Sequence, residues 1–176
     1  MGKKDILQQA LWGLLVLLAA CAPTVSQTPT VAQGQTPVQV PQVVTSLTAG
    51  EMEAILREAG YRYERLQRRE TGELVVFSLR MRDLGALLFL GDCKGGRCES
   101  LQLAAAFSMR NRPTLQRINA WNQEKRFSRA YLDRDGDPVL ESSLSLTGGV
   151  TRETVVSFLK IFEISLSAFA TWIGYR

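Results

Sequence analysis

Between residues 151 and 173 the chain carries Val155, Val156, Phe158, Leu159, Ile161, Phe162, Ile164, Leu166, Phe169, Trp172 and Ile173. That is far more than the single apolar stripe of a one-sided surface helix. A helix with this pattern must be covered from two directions. A sheet on one side and other helices on the rest would do it; so would a protein partner or a second copy of the chain, which makes this helix the candidate homodimer contact. Lys160 and Glu163 in its middle argue against a membrane span. The first of these readings asks the rest of the chain for a sheet that can receive it.

The residues for that sheet are present. Runs at 61–67, 74–81, 86–90 and 101–107 are short and apolar or alternating, with Gly72, Gly85 and Gly95-Gly96 between them, and predict four antiparallel strands in a meander. Two further strands are predicted at 128–133 and 139–146, joined by Asp135-Gly136, a strong hairpin signal. Thr48 and Glu51 form a capping box ahead of Met52, Ile55, Leu56 and Ala59, a helical spacing that Gly60 ends. Pro113 is expected to begin a second helix, with Leu115, Ile118, Trp121 and Asn122 on one side, and Thr151 the third. The predicted order is α-β-β-β-β-α-β-β-α in one α+β domain at residues 47–176. The composition, 45% hydrophobic and 22% charged, is ordinary for a globular domain of that size.

Ahead of it the pattern changes twice. Lys3 and Lys4, an apolar run from Ala10 to Leu18, and Ala19-Ala20 before Cys21 read as a secretory signal at residues 1–20. The run is about a dozen residues, short of the roughly twenty that span a bilayer. Leu18-Ala19-Ala20-Cys21 resembles the lipobox of bacterial lipoproteins, so Cys21 is the expected lipidation site and the expected attachment to a membrane. The competing cut, after Ala22, would leave Pro23 first, and would give a soluble periplasmic protein. Residues 21–46 are rich in Thr, Gln, Val and Pro with almost no charge, and are expected to form a disordered linker. The whole reads as an exported protein of the periplasm or cell envelope.

The chain has no histidine, which removes the usual general base and the commonest metal ligand. It has no G-x-S-x-G elbow, and the Gly91 to Gly96 spacing lacks the Lys and Ser or Thr of a phosphate loop, with Arg97-Cys98 in their place. Asp133, Asp135 and Asp137 fail the calcium-loop register, because Pro138 and Leu144 stand where glycine and glutamate are required. No catalytic residue, metal site or cofactor is therefore expected. A net charge of +4, with scattered arginines, is too little for a nucleic-acid footprint.

Cys93 and Cys98 flank Lys94-Gly95-Gly96-Arg97 at a predicted hairpin tip, where facing strands about 4.5–5.5 Å apart bring two cysteines within disulfide reach. An oxidising compartment favours that bond. A redox pair is the alternative, although such pairs usually have two intervening residues and a helix end to stabilise the thiolate. Asn119, Trp121, Asn122, Lys125, Arg126 and Arg129 form a polar and aromatic cluster that could bind an acidic peptide. The plainer account of the same residues packs Trp121 inside and leaves the arginines in solvent.

Ile118-Asn119-Ala120-Trp121-Asn122, Arg126-Phe127-Ser128-Arg129-Ala130-Tyr131-Leu132-Asp133, Gly136-Asp137-Pro138-Val139-Leu140 and Gly148-Gly149-Val150-Thr151 resemble the YbjN family of bacterial sensory transduction regulators. The hairpin from Cys93 to Cys98, followed by Ser100-Leu101-Gln102, resembles its exported members. The resemblance covers residues 47–174. It implies a twisted antiparallel sheet with flanking helices, similar to type III secretion chaperones and often paired into dimers, with no established catalytic residues. The expected function is a non-enzymatic envelope domain that binds a protein or peptide in a chaperone-like or regulatory role. Its expected surface is the sheet face beside Asn119, Trp121, Asn122, Arg126 and Arg129. A thiol-disulfide redox protein using Cys93 and Cys98, and a purely structural lipoprotein, are the alternatives.

Overall fold

The computed structural model describes residues 42–66 and 74–175. The signal, Cys21, most of the expected linker and the expected turn at Gly72 lie outside the described residues. In chain order the elements are β1 (Val43–Val44), α1 (Ala49–Glu58), β2 (Arg62–Leu66), β3 (Val75–Met81), β4 (Leu84–Lys94), β5 (Arg97–Ala106), α2 (Leu115–Glu124), β6 (Arg129–Leu132), β7 (Pro138–Ser145), β8 (Val150–Thr151) and α3 (Arg152–Trp172). The class is α+β, as expected from the sequence. Six strands form one antiparallel sheet in the order β2-β3-β4-β5-β7-β6.

Period-two alternation sends one row of side chains from each strand to the helices. Phe77, Leu88, Leu103 and Leu140 are all fully buried there, against Leu159, Phe162, Leu166 and Phe169 of α3 and Met52, Ile55 and Leu56 of α1. The sheet and its neighbours thus cover α3 on its core side. Ile164 remains 62% exposed, so the covering is not complete.

Helix starts follow their caps. Thr48 caps α1 in a reciprocal box with Glu51, the Glu51 carboxylate accepting from the Thr48 N–H at 2.7 Å. That bond, with the Thr48 hydroxyl and Arg97, holds the Glu51 pKa below its ordinary value. Thr114 caps α2, which places Pro113 just before the helix rather than at its start, because the Thr114 hydroxyl accepts from the Arg117 N–H.

Three features depart from the sequence expectations. Strands β4 and β5 run up to the turn at Gly95 and Gly96, both at positive φ, so the hairpin is longer than predicted. Within it, Asp92 at φ 54° interrupts the alternation that buries Leu84, Ala86, Leu88 and Leu90. The next facing pair is Cys93 with Cys98, in unchanged register, and Asp92 and Glu99 opposite it are both left out of the ladder. Order also begins before Thr48. Val43 and Val44 pair with Thr151 and Val150, and Leu47 exchanges two backbone bonds with Cys98, of 2.9 and 2.8 Å. Gly149, at φ 93°, makes room for Val43, since a Cβ there would overlap its side chain.

Candidate functional site

The polar and aromatic cluster lies where α2 hands the chain to β6. Trp121 is 1% exposed, its ring meeting Phe169 edge-on at 5.0 Å and its indole N–H donating to the Ser128 hydroxyl at 3.3 Å. Asn122 uses both ends of its amide on one residue: it donates to the Ala130 carbonyl at 2.9 Å and accepts from the Ala130 N–H at 2.8 Å. These two side chains are committed to joining α2 to β6. Trp121 faces inward, whereas Asn122 is exposed at the helix end while its amide is held by Ala130. Asn119 is exposed on α2, and Arg126 is exposed and carries no ion pair among the described residues.

Arg129 has a different role. Its guanidinium bonds the carboxylate of Glu141, the residue opposite it on β7. Glu141 is 4% exposed, and with Ser128 it makes up the buried polar side chains among the described residues. The Gln102 amide donates to its second oxygen at 3.2 Å. A buried carboxylate is tolerated when it is paired and hydrogen-bonded, and here both conditions hold. Arg129 also lies over the Tyr131 ring at 5.8 Å. Burial, followed by the Glu141 charge, raises the Tyr131 pKa.

Between this corner and α3 is an open groove of about 560 Å³. Phe127, Leu144, Phe158 and Ile161 supply its apolar lining, with Ser142 and Ser143 from the strand, Thr154 and Ser157 from α3, and the charged groups Arg126, Arg129 and Glu141. Phe127 is 63% exposed, and the Ser142 hydroxyl donates to its carbonyl at 2.8 Å. Of the expected binding residues the structure brings Arg126 and Arg129 to this groove and leaves Asn119, Trp121 and Asn122 out of its lining. Phe127, Leu144 and Glu141 were missed by sequence reasoning, and Phe158 and Ile161 were named only as part of the helix that a partner or second copy could cover. Phe127 stands between two of the expected residues, and Glu141 is the one charge in an otherwise apolar and hydroxyl strand; those were the available signals.

Cys93 and Cys98 face each other across β4 and β5 and are joined in a disulfide. Cys98 is fully buried. Arg97 beside it donates to the Ser46 hydroxyl and carbonyl, both at 2.9 Å, and pairs with Glu51 at 3.3 Å. The bonded hairpin thus grips the chain leading into α1. Elsewhere, Asp133 accepts from the N–H groups of Asp135 and Asp137, so its carboxylate shapes the β6–β7 turn.

Residues 48–174 match the sequence model of the YbjN family, described as "putative bacterial sensory transduction regulator". No curated protein matches the chain.

Proposed function

Because this chain belongs to the YbjN family, we propose that it is a non-enzymatic regulatory protein of the cell envelope that works by binding a protein or peptide partner. The observation that carries this reading is the open groove between α3 and the β6–β7 corner, which combines Phe127, Leu144, Phe158 and Ile161 with hydroxyl side chains, two arginines and Glu141. Binding sites of this kind combine apolar lining with a few placed polar groups. The envelope location is supported by the basic, apolar and small-residue succession of residues 1–20, and membrane attachment by Cys21 in its lipobox-like setting. The Cys93–Cys98 pair fits a structural staple better than an exchange site. Cys98 is buried, and both cysteines lie on strands rather than at the helix end that lowers a thiol pKa. A second copy is proposed to pack on α3 around the exposed Ile164, and sedimentation of wild type against Ile164→Glu tests that contact.

The main test is crosslinking in intact cells, with capture of wild type and of an Ile161→Asp variant. The expected result is a selective partner recovered with wild type and lost with the variant. Recovery of the same abundant envelope proteins with both would sink the reading. The mass of the mature N-terminus distinguishes an acylated Cys21 from a soluble periplasmic product.

A further inference from the structure

The hydrogen bonding of β7 leaves part of its outer edge without a strand beside it. Residues of an antiparallel strand bond alternately to their two neighbours. In β7 the even-numbered residues face β5: the Phe107 N–H donates to the Pro138 carbonyl at 3.0 Å and the Leu146 N–H to the Glu99 carbonyl at 2.8 Å. The odd-numbered residues face β6, as the 2.9 Å bond from the Asp133 N–H to the Asp137 carbonyl shows. Strand β6 begins at Arg129, opposite Glu141, whereas β7 continues to Ser145. The N–H and C=O of Ser143 and of Ser145 therefore point away from β5 with no paired strand on that side among the described residues, and the Phe127 carbonyl, bonded to the Ser142 hydroxyl, marks where this unpaired stretch begins.

This edge runs along the groove just described. We infer that the groove receives an extended peptide, which adds to the sheet as a strand beside Ser143 and Ser145 and places alternate apolar side chains against Leu144, Phe158 and Ile161. The inference rests on the proposed partner-binding role and specifies its chemistry. Main-chain bonds to a free edge supply affinity, and pockets for alternate side chains supply selectivity. The opposite edge strand, β2, carries Arg62, Glu64 and Arg65, charges of the kind that guard edges against pairing. At 142–145 the sequence is Ser-Ser-Leu-Ser, without charge or proline.

Charge selects the occupant. Arg126 has no ion pair among the described residues, and Arg129 shares its charge with Glu141. The groove thus calls for a carboxylate on the incoming strand. Residues 22–41 of this chain contain no Asp or Glu and have prolines at 23, 29, 37 and 41, and the 142–145 edge of a second copy has no carboxylate either. A separate peptide with apolar residues alternating with acidic ones fits where those two do not.

The probe is an end-blocked octapeptide of alternating Val and Glu, titrated into the full chain by fluorescence anisotropy, with amide exchange followed by NMR. On binding, the Ser143 and Ser145 amides are expected to gain protection. Ser143→Pro removes an outward N–H and spares the ladder to β5, and it should weaken the peptide about tenfold or more. A Val and Lys octapeptide should not bind. Peptide binding with both amides still exchanging freely and Ser143→Pro without effect would overturn strand addition while leaving the groove as the partner site. Equal binding of the lysine probe would overturn the acidic assignment. Failure of the acidic probe, with cellular capture still lost in Ile161→Asp, overturns the peptide chemistry alone; failure of both experiments overturns the site as well. Protection that grows with protein concentration in the absence of peptide would assign the edge to a second copy and overturn the inference. If Ser143→Pro does not fold, the wild-type amide exchange decides.

Discussion

Replacing Arg129 by leucine removes the guanidinium that compensates a carboxylate buried on the sheet. For a fully buried pair, losing one partner costs about 3–5 kcal/mol. Two features reduce that here: the Arg129 side chain is 73% exposed, so water can approach the pair from its side, and the Gln102 amide keeps one bond to the carboxylate. The expected cost is roughly 1.5–3 kcal/mol, above the roughly 0.2–1 kcal/mol of an exposed ion pair. Removing both partners, with Arg129→Leu and Glu141→Leu together, should recover most of it, because no unpaired charge is then left inside. Urea unfolding of the two single variants, the double variant and wild type measures the coupling directly. A cost below about 0.5 kcal/mol for Arg129→Leu, or a double variant no better than the single ones, would refute the account of Glu141 as a buried charge that depends on Arg129. Arg126→Leu, by contrast, should leave stability unchanged, which makes it the cleaner probe of the groove.

Three further outcomes are expected. Changing both Cys93 and Cys98 to serine opens a loop of about six residues, worth about 2 kcal/mol in chain entropy and roughly 5–10 °C in Tm; a thermal scan of wild type with and without reductant should show the same loss, and no shift in either would remove the staple. Asn122→Ala leaves the Ala130 N–H and carbonyl without their side-chain partner, at a cost of about 1–3 kcal/mol by urea unfolding. Glu51 has a folded pKa below its unfolded one, so its contribution is complete above the ordinary carboxylate range and disappears as pH falls through the depressed value. Stability of Glu51→Gln relative to wild type, followed by acid titration, should therefore be lowest near neutrality and converge with wild type in acid; a gap independent of pH would contradict this.

What could be read from the sequence was what is local along the chain. The capping box at Thr48 and Glu51, the Asp135-Gly136 turn and the apolar spacing of α3 each depend on residues a few positions apart. The groove depends on strand order. That β7 lies inside β6, and outlasts it toward Ser145, follows from packing between distant segments and leaves no mark on 142–145 except the lack of charge. The two-residue strands β1 and β8 are likewise too short for alternation to announce them. Trp121 and Asn122 were legible as a pattern but ambiguous in role: indole and amide suit a ligand site, and they suit equally a buried joint whose polar atoms must all find partners. The observed bonds to Ser128 and Ala130 show the joint, which the pattern alone could not single out.

The grip of the hairpin on the segment around Leu47 has a mechanical consequence. Tension applied through the chain preceding Val43 meets first the β1–β8 pairing, then Arg97 on Ser46, and then the backbone bonds between Leu47 and Cys98. The last of these is anchored to a hairpin whose strands the Cys93–Cys98 bond prevents from parting. Pulling should therefore peel the leading segment away before it disturbs the sheet, after which the load passes through Thr48 into α1.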